Sequence, residues 1–148
     1  MRAEVAVRVE GVGHAVPTGF IDRHLLLIAE GFDDLGRPVA AQSGPVLPAA
    51  AGPELAGKAG KLYAKLHRDT DGHAPAPFWR PGPVPLDTRL RPGHPEALSF
   101  DFPPSLRRLR VRVIYRPFWQ EVARAKGWPN QDVPVADRTF VLEKPKKS

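Results

Sequence analysis

Alternating apolar and polar residues predict β-strands along much of the chain. In the sequence AEVAVRV, Val5, Val7 and Val9 fall on one face of an extended chain, and ALSFDF alternates in the same way. The sequence RHLLLIAEGF is apolar almost throughout, which is typical of a strand buried on both faces. KLYAKLHRD and DRTFVLEK have the composition of two further strands. The pattern therefore predicts a protein built mainly from β-sheet.

The arginine-rich sequence LRRLRVRVIYRPF alternates as well. The residues predicted to face the core are Leu109, Val111, Val113 and Tyr115, and those predicted to face outward are Arg108, Arg110, Arg112 and Ile114. The arginines then form the polar face of a half-buried strand. A nucleic-acid interface would need a basic stripe interleaved with aromatic residues, so we expect no nucleic-acid partner.

One segment has helical character. WQEVARAKG, from Trp119 to Gly127, predicts a short helix that a glycine ends. Residues 45–60 are rich in Ala, Gly and Pro and predict a long surface loop, and the basic residues 143–148 predict a disordered tail. Short strands, frequent turns and one helix near the C-terminus favour an all-β fold: an antiparallel, immunoglobulin-like sandwich that forms a single domain over residues 1–148.

The composition narrows the possible chemistry. The 18 prolines and 13 glycines among 148 residues are scattered without a period, which suits a loop-rich β-protein. The chain has no cysteine, and this excludes disulfides, thiolate catalysis, cysteine zinc sites and covalent attachment of haem c. No apolar stretch is long enough to span a membrane, and the start MRAEVAVRVE lacks the apolar core of a signal peptide.

Catalytic motifs find no match. Ser43, Ser99 and Ser105 lie in no nucleophile-elbow pattern, and the histidines have neither H-x-x-x-H nor H-E-x-x-H spacing. In RDTDGHAP, Asp69 and Asp71 imitate the start of a calcium loop, but the downstream carboxylates are missing, which favours an Asx turn. We therefore expect no enzymatic activity.

Three blocks of sequence, in order, resemble the domain that follows the haem-binding region in certain bacterial multihaem c-type cytochromes. The matching residues are Gly11, Gly13, His14, Pro17, Thr18, Gly19, Arg23 and Leu27 in the first block; Asp71, Gly72, Pro77, Phe78, Trp79, Arg80, Asp87, Thr88, Arg89, Pro92 and Gly93 in the second; and Tyr115, Arg116 and Phe118 in the third. The C-x-x-C-H segments of these cytochromes are absent from this chain. The resemblance implies the sandwich part alone, in a periplasmic or extracellular electron-transfer setting. It implies haem c on a multihaem cytochrome partner, either within the same polypeptide or in a separate subunit.

The sequence GVGHAVPTG places His14 in a bend between two strands, and three interpretations stay open. The glycines Gly11, Gly13 and Gly19, with Pro17 and Thr18, set the geometry of the loop. In the first interpretation, His14 is an axial ligand to the haem of a neighbouring domain or subunit. In the second, His14 closes the hairpin by bonding to backbone carbonyls, with Arg23 packed over it. In the third, His14 joins His24 or Asp22 in a metal site, although the spacing is not diagnostic.

Four further residues are candidates for interactions. In one interpretation, Trp79 and Arg80 form a stacked aromatic–guanidinium pair at a domain edge. In the other, Trp79 fills the core and Arg80 pairs with Asp87. We expect the core position for Trp79, and both alternatives stay open for Arg80. Asp87-Thr88-Arg89 predicts a turn, with Arg89 as a buried partner for a carboxylate.

Two functions of different classes follow. The first is a non-enzymatic accessory domain of a multihaem cytochrome system, which docks beside haem-bearing protein and lends it His14. The second is a free-standing sandwich that binds a small ligand or carbohydrate through Trp79, Trp119 or Trp128. A metal-dependent hydrolase would need several histidines to converge in space, and the sequence gives no reason to expect this.

Overall fold

The computed structural model describes residues 1–80, 82 and 86–143, and these residues form eight strands, one 3-10 turn and one short α-helix. The elements in chain order are β1 (Arg2–Val7), β2 (His24–Phe32), β3 (Pro38–Val39), the 3-10 turn (Ala49–Ala51), β4 (Gly60–Leu66), β5 (Leu86–Asp87), β6 (Glu96–Asp101), β7 (Arg108–Arg116), α1 (Gln120–Lys126) and β8 (Val133–Val141). The predicted disordered tail, apart from Glu143, lies outside the described residues.

The strands form two antiparallel sheets. The large sheet has the order β5-β4-β2-β7-β8, and β3 pairs with the end of β2. The small sheet consists of β1 and β6. In the large sheet, His24 lies opposite Ala64 on one side and Arg116 on the other, so β2 is the central strand. The predicted antiparallel sandwich is confirmed, and its immunoglobulin-like strand arrangement stays a prediction.

Apolar side chains between the two sheets form the main core. The buried residues are Leu25, Leu27, Ala29, Tyr63, Leu90, Leu98, Phe100, Phe102, Leu106, Leu109 and Val111, and Val5, Val7 and Val9 pack against them. These residues come from the alternating segments, because every second residue of a strand points to the same face. The inward faces predicted for AEVAVRV and ALSFDF are confirmed.

A second apolar layer covers the opposite face of the large sheet. Its buried residues are Leu26, Ile28, Leu47, Ala51, Leu55, Leu62, Ala64, Leu66, Ile114 and Trp119. β2 therefore has both faces buried, as its continuous apolar sequence predicts. The prediction that Ile114 faces solvent is wrong: its side chain is 7% exposed, because the second layer covers that face of β7.

Residues 45–60 and the helix α1 form the cover of this layer. The segment is irregular apart from the 3-10 turn, an isolated bridge between Val46 and Ala59, and Gly60, which begins β4. Arg116 ties it to β7, since its Nη1 donates to the Ala51 carbonyl at 2.6 Å while its Nε bonds Asp132 at 2.7 Å. The predicted helix is confirmed: it ends at Lys126 and is capped by Gly127, whose φ of 67° places it in the left-handed region that favours glycine.

The helix content offers no membrane span. Within the part of the chain that the structure describes, no helix has both the length and the apolar character needed to cross a bilayer.

Candidate functional site

The loop that joins β1 to β2 contains the GVGHAVPTG sequence and lies against the turn before β6. Val16 and Leu90 exchange two backbone hydrogen bonds, of 2.8 and 2.9 Å, which fix the middle of the loop. Pro17 next to Val16 is buried, and Gly19 has a φ of 89°. The loop is therefore anchored on both sides of its bend rather than free in solvent.

His14 lies on the surface of this loop. Its side chain is exposed, and its Nδ1 is 3.2 Å from the Ala15 carbonyl oxygen. When Nδ1 of a neutral imidazole donates to a carbonyl, the free lone pair of the ring is on Nε2. Nε2 is then the nitrogen that can coordinate a metal or accept a hydrogen bond. The contact with Ala15 is local, so it orients the ring without closing the hairpin.

Arg23 packs against Gly19. A Cβ added at Gly19 would lie 2.5 Å from Arg23 Nη1, and the same nitrogen donates to the Thr18 carbonyl at 3.3 Å. These contacts differ from the predicted packing of Arg23 over His14. The φ of 89° favours glycine at position 19, and the missing side chain lets the Arg23 guanidinium lie against the backbone there.

The metal interpretation of the loop gains no geometric support. Asp22 and His24 are 1% and 0% exposed, whereas His14 points to solvent, so the three side chains do not share an environment. Within residues 1–80, 82 and 86–143, no group of three or more His, Cys, Asp or Glu side chains is placed to hold a metal ion.

Three aromatic rings and a lysine form an exposed cluster, here called the aromatic patch: Phe20, Phe78, Trp79 and Lys126. Phe20 comes from the β1–β2 loop, and its ring meets that of Phe78 edge-on at 5.0 Å between centroids. Phe78 meets Trp79 in the same way at 4.9 Å, and Lys126 Nζ lies 5.8 Å from the Trp79 centroid. The rings are 41%, 50% and 55% exposed in chain order.

The prediction that Trp79 fills the core is wrong. Trp119 takes the buried position instead, with 2% exposure, in the second apolar layer. Trp79 lies in a turn of the segment between β4 and β5, and its ring is next to Lys126 of α1. The sequence signals the presence of large aromatic residues, but not which of them the covering layer buries.

The structure also decides which arginine pairs with Asp87, a question that the sequence leaves open for Arg80. Arg89 binds Asp87 through two hydrogen bonds, of 2.9 and 2.8 Å, and this pair lowers the pKa of Asp87 to about 2. Asp87 therefore pairs with Arg89 and not with Arg80. The Arg89 side chain is 23% exposed, so the predicted carboxylate partner is right in kind but the pair is only partly buried.

Two local turns fix the surroundings. Asp69 accepts hydrogen bonds of 2.9 Å from the backbone N–H groups of Asp71 and His73, which is the predicted Asx turn. Thr88 Oγ1 donates to the Leu62 carbonyl at 2.8 Å and accepts from the Ala64 N–H at 3.1 Å. Thr88 thereby holds the turn after β5 to the edge of β4.

The sequence offers Asp22 and His24 only as possible metal ligands beside His14, and it does not predict that they form a buried polar cluster with Trp119. His24 stacks on Trp119 with 4.1 Å between ring centroids, and its Nδ1 donates to the Asp22 carbonyl at 2.8 Å. Burial lowers the pKa of His24 to about 4 and raises the pKa of the Asp22 carboxyl to about 6. Within the described residues neither carboxylate oxygen of Asp22 has a hydrogen-bond partner. The sequence signal is a histidine that opens a continuous apolar run.

Comparison with known proteins identifies a similarity to a multihaem cytochrome. The chain is similar in structure to a penta-haem cytochrome c552 from Thermochromatium tepidum, with a TM-score of 0.69 and 25% sequence identity. The match covers 95% of this chain and 36% of the cytochrome chain, so this chain spans about a third of that protein's length. No protein-family model matches the sequence, and no curated protein matches it. The similarity agrees with the association with multihaem cytochromes that the sequence predicts.

Proposed function

We propose that this chain is a non-enzymatic accessory domain of a multihaem c-type cytochrome system, and that it presents His14 to a haem of a neighbouring domain or subunit. The observation that carries the proposal is the match of nearly the whole chain to about a third of a penta-haem cytochrome. Because this chain has no cysteine, haem c has to be attached to other polypeptide sequence. The position of such a domain at the C-terminal side of a haem region, and its place in the periplasm, belong to the same proposal.

The β1–β2 loop suits a ligand for an external haem. His14 is exposed and its Nδ1 is engaged, so Nε2 is the nitrogen offered outward. The pairing of Val16 with Leu90 holds the loop, and a held ligand loses less conformational entropy when it binds. When bound, the haem would supply the electron-transfer chemistry, and this chain would supply orientation and an imidazole.

The aromatic patch supports docking beside haem-bearing protein. Phe20 is six residues from His14 in the same loop and exposes 41% of its surface. Exposed aromatic rings are enriched at protein interfaces, where they contribute large apolar area at small entropic cost. The formal net charge of +6 favours the approach of an acidic redox partner or of haem propionates.

A second candidate function rests on the same patch. Phe78 and Trp79 are half exposed, as expected for a free-standing module that binds a small ligand or carbohydrate through loop aromatics. Trp119 is buried and takes no part in such a site, whereas Trp128 is 41% exposed. This function predicts that changes at Trp79 abolish binding and that changes at His14 leave it intact.

Co-expression with the multihaem cytochrome encoded nearest to this chain tests the first function. We expect a complex that co-elutes in size-exclusion chromatography, with haem absorption bands that change when His14→Ala replaces the wild type. His94→Ala is the matched control, since His94 is also exposed and has its Nδ1 3.2 Å from a backbone carbonyl, that of Pro92. If a complex forms but its haem bands are the same with His14→Ala as with the wild type, the function is docking alone. If no complex forms, the proposal is contradicted.

A further inference from the structure

A groove opens between the small sheet and the outer part of the large sheet. It measures about 570 Å³ and runs between β1 and the strands β7 and β8. Leu109, Val111 and Val113 of β7 and Ala136, Arg138 and Phe140 of β8 line its floor. The small sheet has two strands where the large sheet has five side by side, so it covers only part of the inner face. Phe140 on that face is 52% exposed.

The strand β1 turns an unpaired edge toward this groove. Met1 and Phe102 exchange two hydrogen bonds, of 2.7 and 2.8 Å, at the start of the β1–β6 pairing. In an antiparallel pair such exchanges recur at every second residue, so Ala3, Val5 and Val7 bond β6. The N–H and C=O groups of Glu4 and Ala6 therefore point away from β6, and within the described residues no strand pairs with them.

We propose that an extended segment of a partner protein adds to this edge as a third strand of the small sheet and fills the groove. Edge strands with free hydrogen-bonding groups accept such segments, and the pockets between strands select their side chains. The inward side chains of the segment are mainly apolar, because they meet Val5, Val7 and Phe140, with Arg138 the charged residue in the floor. Its outward side chains complement the exposed charges along and just after β1: a basic residue opposite Glu4, and an acidic residue opposite Arg8, which would share Arg8 with Glu10, its exposed ion-pair partner at 2.8 Å.

A second copy of this chain does not fit the same place. Antiparallel pairing of two β1 strands about a two-fold axis would continue the small sheet across both copies. Since β7 and β8 extend beneath the place of the third strand, the β7 and β8 strands of the second copy would occupy the same space. The occupant is therefore a single extended segment that carries no packed sheet of its own. This inference does not depend on haem or on His14.

A synthetic peptide with the sequence RAEVAVRVE, residues 2–10 of the chain, is a suitable probe. Aligned antiparallel to β1 and centred on Ala6, its Glu at position 10 faces Arg2 and its Arg at position 8 faces Glu4, while its valines point inward. The control peptide RAKVAVRVK has the same apolar residues, but it places lysines opposite Arg2 and Arg8. Peptide is titrated into the full-length, isotope-labelled protein, and binding is followed through backbone amide chemical shifts.

We expect the first peptide to shift the amides of β1 and β8 and to slow hydrogen exchange at Glu4 and Ala6, and the control peptide to bind at least about tenfold more weakly. The variant Ala6→Pro removes an outward N–H without breaking a bond to β6, so it should bind at least about tenfold more weakly as well, a loss of about 1.4 kcal/mol. Ala6→Val keeps the N–H and should bind as the wild type does.

Five results would overturn the inference. The first three are equal binding of the two peptides, shifts that lie away from β1 and β8, and undiminished binding by a folded Ala6→Pro variant. Dimerisation of the protein without peptide, lost in Ala6→Pro, would assign the edge to a second copy and would also contradict it. A folded protein that shows no shifts at millimolar peptide would do the same. None of these results bears on His14 and haem.

Discussion

The imidazole of His24 lies nearly parallel to the indole of Trp119, with an interplanar angle of 13° and 4.1 Å between ring centroids. This contact joins the first residue of β2 to the residue that caps α1. It places the helix on the large sheet and completes the second apolar layer. The stacked pair therefore links the central strand to the cover beside it.

Replacement of Trp119 by Ala should remove most of this link. We expect Trp119→Ala to lower the free energy of unfolding by about 3–5 kcal/mol, because a buried aromatic side chain leaves a large cavity. Trp79→Ala is the matched control: Trp79 is 55% exposed, so its loss should cost less than about 0.5 kcal/mol. Urea unfolding followed by circular dichroism measures both changes. Equal losses in the two variants would contradict the assignment of Trp119 to the core.

Asp22 should destabilise the fold as the pH rises. Its pKa is about 6 in the folded protein and 3.8 when exposed, so the folded state favours the protonated carboxyl. Between about pH 4 and 6 the unfolded state loses its proton first, and the protein loses up to about 3 kcal/mol of stability through this group. Asp22→Asn removes the titration and keeps the backbone carbonyl that His24 bonds.

The difference in unfolding free energy between Asp22→Asn and the wild type should therefore grow in favour of the variant from pH 4 to pH 7. Urea unfolding at pH 4, 5, 6 and 7 gives this difference. If it is constant across the range, Asp22 is not buried as the structure has it.

His24 should act in the opposite direction. Its pKa falls from 6.5 to about 4 on folding, because burial disfavours the charged imidazolium. The contribution of His24 to the free energy of unfolding is therefore fully present above about pH 6.5. Up to about 3 kcal/mol of it is lost as the pH falls to 4. In the wild type the two groups compensate, so stability should change little between pH 4 and 6.5. His24→Gln should expose the Asp22 effect, with stability rising on acidification, and an unchanged pH profile would contradict this account.

Thr88 should matter more than an ordinary loop residue. Thr88→Val removes the hydroxyl that accepts from the Ala64 N–H and leaves that group of β4 unpaired. We expect a loss of about 1–3 kcal/mol, measured by thermal and urea unfolding. Thr88→Ser keeps the hydroxyl and should lose less than half as much. A serine variant as unstable as the valine variant would show that packing of the methyl group, not the hydrogen bond, holds the turn.

Sequence patterns predict the strands well and the covering layer poorly. Alternation identifies which residues of a strand share a face, and so the inward positions of β1 and β6 are predictable. It does not say what lies beyond the outward face, so it places Ile114 in solvent although residues 45–60 and α1 cover it. The same cover buries Trp119 and leaves Trp79 exposed, and alternation does not predict which of the two is buried.

In the candidate site, the sequence likewise predicts local contacts but not contacts between distant segments. A local feature such as the Asx turn at Asp69 depends on neighbouring residues, and the sequence is sufficient to predict it. Contacts that bring distant segments together, such as Phe20 with Phe78, come from the tertiary fold. The pairing of Asp87 with Arg89 is local, but two arginines compete for one carboxylate, and only geometry decides between them.

The donation of His14 to an external haem is the central claim, and an absorption titration tests it most directly. A haem c peptide with one open axial position is titrated with the wild type, with His14→Ala and with His94→Ala. We predict a Soret shift to the low-spin form that is lost in His14→Ala and kept in His94→Ala, because the β1–β2 loop holds His14 ready to coordinate. A shift that persists in His14→Ala, or that disappears equally in both variants, would contradict the claim.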